Sequence, residues 1–215
     1  VAARSGYDAR MTSNLLSRRD LEFLLYEWLD VATLCDRPRF ADHSRETFDA
    51  VLDTCEKIAR EKFAPYNRLA DTEEPWFDGQ KVHLPEPSYA AARAYRESGM
   101  LAAAQDYELG GMQLPCVVEM AANSFFSKAG IGIGGGGMLT SGNANLLMAH
   151  GSPLQKDVFA KNEFAGRFTG TMCLSEPQAG SSLADITTRA EPATDGSYRL
   201  FGSKMWISGG DHELS

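Results

Sequence analysis

The run TGTMCLSEPQAGSS (169–182) sets hydroxyls, small residues and one carboxylate directly behind a short alternating stretch. Pro177 fixes its own φ and keeps Glu176 out of the helical region, which forces a turn. Ala179, Gly180, Ser181 and Ser182 then let the backbone approach a ligand closely, with amide donors and hydroxyls presented together. About thirty residues later, KMWISGG (204–210) carries Trp206 two positions before Ser208, which on a strand puts both on one side. Donors beside an aromatic face suit a flat aromatic cofactor. The plain alternative is a pair of strand-ending turns with Trp206 in the core.

Other candidates carry less. IGIGGGG (131–137) contains a GxGxxG-like string, but a dinucleotide fingerprint needs a strand before it and a helix after it. The preceding element reads as a helix, so the glycines are expected to form a flexible inter-helix loop. His43, His83, His150 and His212 are too scattered for a metal site, and none is predicted. Asp211-His212 reads as surface or subunit contact. Phe23, Tyr26 and Trp28 read as core or helix-interface residues rather than a ligand cage, and Asp71, Glu73 and Glu74 as a solvated loop. Cys35, Cys55, Cys116 and Cys173 lie far apart in mostly apolar settings and lack CxxC spacing and disulfide-scaffold density, so they read as reduced core thiols.

These loops need elements to hold them. Ser17-Arg18-Arg19-Asp20 opens a helix whose apolar stripe is Leu21, Leu24, Leu25, Trp28, Leu29 and Ala32. Ser44 caps a second, with Phe48, Val51, Leu52, Cys55, Ala59 and Phe63 on one face and an end or bend near Pro65. The stretch 71–87 is a Pro-rich loop with a short extended piece at 81–83. A third helix fits 88–98, closed by Gly99. A fourth carries Val117, Met120, Ala121, Ser124 and Phe125 and ends near Gly130. Two more follow: one holds Leu146 and Leu147 and stops at Gly151, and one starts at Ser152-Pro153-Leu154-Gln155. After Gly166 the period changes. Segments 169–174, 187–191, 198–201 and 204–207 read as strands, with Asp195-Gly196 as a hairpin turn between two of them.

Composition agrees with an ordinary folded protein. The 215 residues are 43% hydrophobic, and 29 acidic against 21 basic side chains give a formal charge of −8, which disfavours a nucleic-acid partner. No stretch approaches the roughly 20 apolar residues of a membrane helix, and no secretory apolar segment opens the chain. A soluble cytoplasmic protein is expected, with the mitochondrial matrix second. Arg4, Arg10, Arg18 and Arg19 hint at a transit peptide that Asp8 and Asp20 interrupt, and Met11 is an alternative start. So few strands make a poor independent core; the chain is expected to be a fragment, with Asp211-His212-Glu213-Leu214-Ser215 supplying no final element.

The two loop sequences, in this order, resemble the acyl-CoA dehydrogenase family, whose middle domain opens with C-[LV]-[ST]-E-P-x-A-G-S and later has K-x-[WF]-I-[ST]-x-G. The chain has Cys173-Leu174-Ser175-Glu176-Pro177-Gln178-Ala179-Gly180-Ser181 and Lys204-Met205-Trp206-Ile207-Ser208-Gly209-Gly210. The run His150-Gly151-Ser152-Pro153-Leu154-Gln155-Lys156 is similar to the end of the family's N-terminal α-domain, so the resemblance covers most of the chain beyond about residue 45. GTMCLSEPQAGSSL with ISGGDHEL is most similar to the branch that includes 3-methylmercaptopropionyl-CoA dehydrogenase.

The resemblance implies an α+β fold: an extension with one helix over 1–44, an all-α domain over 45–167, and the start of a β-barrel-like domain over 168–215. The C-terminal helical bundle would lie outside the chain. It implies FAD, with Met172, Leu174 and Ser175 along the flavin, the Ser175 amide or hydroxyl near its pyrimidine end, Trp206 packed on the ring and Ser208 near N5. Ser181 would face the acyl-CoA arm. Many relatives have Asp after that serine where this chain has Ser182, which puts that residue's loop-holding role in doubt. The implied reaction is α,β-dehydrogenation of an acyl-CoA thioester to a trans-2-enoyl-CoA, with electron-transfer flavoprotein as acceptor and a homodimer or homotetramer as the assembly. A flavin oxidase or monooxygenase on the same scaffold is the first alternative, and a non-catalytic interaction protein the second. The family base is a glutamate in the C-terminal bundle, expected beyond Ser215, so no catalytic residue is assigned and the chain alone is expected to be inactive. Glu176, before Pro177, is expected to hold the loop.

Overall fold

Reciprocal capping starts some of the helices of the computed structural model, which describes residues 15–212. At α2 (Arg45–Ile58) the Thr47 N–H donates to Ser44 Oγ (3.3 Å) and the Ser44 N–H to Thr47 Oγ1 (2.8 Å), satisfying two donors that a helix start leaves open. Its buried face is Phe48, Leu52 and Cys55; the core reading holds for Cys55 but is corrected for Cys116 and Cys173, which are exposed at a helix start and in a loop, while Cys35 is half-buried. The helix runs on as a π-type turn, Ala59–Phe63, which buries Ala59 and Phe63. Pro65 removes a donor there, and the chain bends through Ala64–Tyr66 into α3 (Asn67–Thr72).

Upstream, α1 (Arg18–Glu22) is capped by Ser17 and continues as a π-type turn, Phe23–Trp28. Its expected apolar stripe is only partly used. Leu25 is buried, while Phe23, Leu24, Leu29 and Trp28 are exposed, Trp28 at 69%. The core reading of Phe23 and Trp28 is therefore corrected: Asp30, at φ 47°, turns the chain away before that face can pack. Tyr26 lies at an interface, its hydroxyl donating to Asp49 Oδ1 (2.8 Å) under the Arg45 guanidinium. The transit-peptide residues Arg4, Asp8 and Arg10, and the alternative start Met11, lie outside the described residues. So does Ser215, the position beyond which the family's base is expected, together with Glu213 and Leu214.

A two-stranded ladder, β1 (Trp76–Phe77) with β2 (Val82–His83), precedes α4 (Glu86–Glu97). Gly99, at φ 77°, closes α4 with the left-handed conformation that glycine tolerates best. The long α5 (Cys116–His150) runs through the middle of the helical body and packs on α2, α3 and α4. The helix end expected near Gly130 is present, but the flexible glycine loop expected at 131–137 is not, and that part of the reading is corrected. One residue, Gly130 (φ 177°, ψ 82°), interrupts the helix, which resumes through the glycines. Close approach explains the glycine at 137, where a Cβ would stand 2.6 Å from Tyr95 Cε1.

The main core gathers Phe48, Leu52, Phe63, Met100, Val118 and Phe125. Phe126 bridges Phe63 and Tyr95, with ring centroids 5.1 and 4.9 Å away. After α5, α6 (Pro153–Gln155) leads into a π-type turn, Lys156–Ala160, and α7 (Lys161–Phe164), and a smaller cluster of Ala102, Ala144, Ala160 and Phe164 seats that turn and α7 on the second half of α5. The box predicted at Ser152 forms, with Pro153 in the first helical turn.

Beyond α7 the chain becomes irregular and exposed. β3 (Arg189–Pro192) pairs antiparallel with β4 (Tyr198–Phe201), Ala190 opposite Leu200, around the turn at Asp195-Gly196, where Gly196 takes φ 83°. The strands expected at 169–174 and 204–207 are not formed. Their backbone groups bond instead to side chains and single amides of neighbouring loops, as at Leu174 and Ser208. Among the described residues, no helix is long and apolar enough to cross a membrane.

Candidate functional site

The crossover from α7 is tied to the helical body before it reaches the first loop. Gly166 takes φ 68°, and the Arg96 guanidinium donates to its carbonyl (3.1 Å). The Gly170 N–H donates to Thr140 Oγ1 on α5 (3.2 Å), and a Cβ at 170 would stand 2.7 Å from Asn143 Cβ. Asn143 Nδ2 in turn donates to the buried Glu163 carboxylate on α7 (2.7 Å). Burial pushes the Glu163 pKa up. Thus α5 and α7 fix where segment 171–176 begins.

Four contacts then lay that segment beside 204–208. Thr171 Oγ1 donates to the Ser208 carbonyl (2.5 Å), and the Met205 N–H to the Ser175 carbonyl (3.0 Å). Lys204 Nζ donates to the Leu174 carbonyl (3.0 Å) and pairs with Glu176 Oε1 (2.8 Å). Between these ties Met172, Leu174 and Trp206 stay exposed, at 61%, 41% and 83%. Trp206 takes φ 59°, a left-handed conformation costing a non-glycine residue on the order of 1 kcal/mol. This departs from the expected strand, on which Trp206 and Ser208 would share a side, and the ring is not a core residue. The structure thus brings Met172, Leu174, Ser175, Trp206 and Ser208 together. Ser181 stands apart, exposed in the following turn, with its carbonyl accepting from the Leu183 N–H (3.2 Å).

Glu176 is the knot of the arrangement. Its own turn closes through Glu176 N–H to Ala179 O (2.7 Å) and Ala179 N–H to Glu176 O (3.1 Å). The carboxylate accepts from Lys204 Nζ, from the Thr187 N–H (2.8 Å) and hydroxyl (2.9 Å), from the Thr188 N–H (2.9 Å) and from Gln178 Nε2 (2.7 Å). Its side chain is 1% exposed. The Lys204 ammonium first, then the hydroxyl and amide donors of the Thr187–Thr188 stretch, hold its pKa far below the usual carboxylate range. So firm an anion is a structural acceptor and a poor proton-abstracting base. Ser182 donates to Asp185 Oδ2 (2.6 Å) and so closes its own turn.

The far end of the second loop meets the β1–β2 hairpin, where Asp211 Oδ2 accepts from the Val82 N–H (3.2 Å). On that hairpin His83 stacks on Trp76 (4.4 Å) and bonds Asp78 Oδ2 (2.7 Å), which, with two amide donors, lowers the Asp78 pKa. Among the described residues, no group of three or more His, Cys, Asp or Glu could hold a metal ion.

Sequence reasoning gave Lys204, Thr171 and Thr187 no role. Lys204 stood inside a quoted motif, but nothing in a sequence shows that a lysine meets a glutamate 28 positions earlier.

The family model described as acyl-CoA dehydrogenase, N-terminal domain, matches residues 45–166. Similar curated proteins include 3-methylmercaptopropionyl-CoA dehydrogenase of Ruegeria pomeroyi, 33% identical over 92% of this chain and 34% of its own length. Butyryl-CoA dehydrogenase of Syntrophomonas wolfei is 32% identical over 94% of this chain and 34% of its own. The chain thus spans about a third of the length of these relatives. A crystal structure of an acyl-CoA dehydrogenase complexed with FAD from Bacillus anthracis matches 79% of this chain and 28% of its own, with a TM-score of 0.62 at 25% identity. Glutaryl-CoA dehydrogenase from Mycobacterium smegmatis shows the same fold, with a TM-score of 0.64 at 24% identity over 79% of this chain and 41% of its own. A helical body matched over more than half the chain, leading straight into two cross-tied loops, makes this chain a member of the acyl-CoA dehydrogenase family.

Proposed function

We propose that the chain contributes one wall of the flavin site in an FAD-dependent acyl-CoA dehydrogenase, which oxidises an acyl-CoA thioester to the trans-2-enoyl-CoA. The observation that carries the reading is the cross-tied pair of loops. An exposed apolar surface of Met172, Leu174 and Trp206 lies next to Ser175 and Ser208, and Trp206 is held in a left-handed conformation. Such a surface fits a flat ring with polar edges: apolar side chains cover its face, and amides and hydroxyls meet its rim.

In this reading Met172, Leu174 and Trp206 exclude water from the ring, Ser175 donates at its pyrimidine end, and Ser208 bonds near N5. When bound, FAD supplies the hydride acceptor of the reaction. Fixed donors at the edge that gains electron density favour the transfer, because they need no reorganisation as charge develops. Ser181 is assigned to the acyl-CoA arm, and its exposure is compatible with that role. The proton-abstracting glutamate belongs to sequence beyond Ser215, which agrees with Glu176 being committed to the loop. Electron-transfer flavoprotein as acceptor and a homodimer or homotetramer as assembly complete the proposal. The relatives' names, two of them dehydrogenases of acyl-CoA thioesters, and the neighbour complexed with FAD support it.

The test is anaerobic. Full-length protein, purified and reconstituted with FAD, is mixed with short-chain acyl-CoA thioesters, and loss of the oxidised flavin absorbance is followed. Bleaching by substrate with formation of the enoyl-CoA is the expected result. Flavin binding with no bleaching by any acyl-CoA would sink the dehydrogenase reading, and bleaching followed by fast reoxidation in air would point to an oxidase.

A further inference from the structure

Lys204 is bonded to two acceptors with different consequences. One is the buried Glu176 carboxylate and the other the backbone carbonyl of Leu174. A buried ion pair adds little net stability, because desolvation offsets the attraction, and is better explained by what it positions. Here the positioned group is the peptide between Leu174 and Ser175. A trans peptide is planar, so its C=O and N–H point in opposite directions. Among the described residues no peptide bond is cis. With the ammonium on the carbonyl, the Ser175 N–H is aimed away from Lys204, and a cation on the oxygen polarises the amide and strengthens its donor. The next carbonyl, that of Ser175, is held separately by the Met205 N–H. Both sides of Ser175 are therefore pinned from the 204–208 loop.

We propose that Lys204 is a positioning residue for the cofactor: its ammonium orients and polarises the Leu174–Ser175 peptide so that the Ser175 N–H serves as a strong donor to the flavin, and Glu176 holds the ammonium in place. This rests on the flavin reading given above. Removing the charge should weaken flavin binding and make reduction of the bound flavin harder, because the donor that stabilises the electron-rich form is lost.

The experiment uses the full-length protein with FAD and compares Lys204→Met, Lys204→Arg and Thr187→Val with the parent. Thr187→Val deletes a hydroxyl from the opposite side of Glu176 and leaves Lys204 alone. It controls for simple loosening of the loop. Lys204→Met is expected to bind FAD at least tenfold more weakly and to shift the midpoint potential of the bound flavin to a lower value. Lys204→Arg is expected to recover most of both. Thr187→Val is expected to melt earlier with the potential unmoved. Should Lys204→Met fail to fold, Lys204→Gln keeps a donor to the Leu174 carbonyl without the charge and must shift the potential in the same direction. Unchanged affinity and potential without the lysine charge overturns the inference alone, as does an equal potential shift in Thr187→Val. A parent protein that binds no FAD removes the cofactor reading and the inference with it.

Discussion

Two glycines on α5 offer a paired experiment in which one term is common and the other is not. Gly137 and Gly142 are both helical, and replacing either with alanine removes backbone freedom from the unfolded chain, worth about 1 kcal/mol in a helix interior. At Gly142 nothing lies within 4 Å of the new Cβ, so that gain stands alone. At Gly137 the Cβ would meet Tyr95 Cε1 at 2.6 Å, Cζ at 3.1 Å and Cδ1 at 3.3 Å. The ring cannot simply step aside. Its hydroxyl donates to Asn123 Oδ1 (2.8 Å) and its plane packs edge-on against Phe126. Overpacking of this kind costs about 1–3 kcal/mol. Gly142→Ala should therefore stabilise by about 1 kcal/mol and Gly137→Ala should be neutral to destabilising, the two differing by about 1–3 kcal/mol. For a domain of this size that separates their melting temperatures by roughly 2–12 °C, read by circular dichroism at 222 nm. Equal stabilisation by both would refute the claim that α4 and α5 touch through this glycine.

Three further outcomes are expected. Because the Glu176 pKa is lowered on folding, its contribution is present above the ordinary carboxylate value of 4.5 and is lost as pH falls below it. Protection of the Thr187 and Thr188 amides, taken relative to their intrinsic exchange rate at each pH, should fall on acidification in the parent and lack that pH dependence in Glu176→Gln. Glu163 behaves oppositely: its pKa is raised, so its contribution is complete below 4.5 and is lost as pH rises through the raised value. Glu163→Gln should thus narrow the gap in melting temperature between pH 5 and pH 8. Trp206→Gly should leave the melting temperature unchanged or higher, since the ring is 83% exposed and its left-handed backbone suits glycine, while flavin affinity falls at least tenfold.

Local signals were legible where one turn of chain decides the outcome. Ser44 as a cap, Ser152 with Gln155, Gly99 and the Asp195-Gly196 turn each act within four residues, and each forms as the local chemistry dictates; Thr47, which completes the box at Ser44, was not read from the sequence. The glycine tract misled because helix propensity is a weak force beside tertiary packing, and Tyr95, which makes glycine useful at 137, lies 42 positions upstream. Trp28 misled in the other direction, since an apolar stripe shows a face but not what covers it. In the candidate site, the two motifs were visible as residue types, whereas the ties between them were not. Lys204 to Leu174, Thr171 to Ser208 and Met205 to Ser175 are all pairings across 30 or more positions. Their geometry also replaced the strand alternation that the pattern at 204–208 suggested.

The single break at Gly130 has a consequence for how α5 can vary. Before it, Val118, Ala122, Phe125 and Ala129 index the rod against the larger core; after it, Ala144 indexes the remainder against the Ala160–Phe164 cluster. An unbroken rod would lock both stripes to one helical phase, so that any insertion upstream would rotate every downstream contact. Resetting the phase at one residue uncouples the two halves. The half that carries Thr140 and Asn143, the anchors of the crossover into the loops, can keep its orientation while the other half drifts.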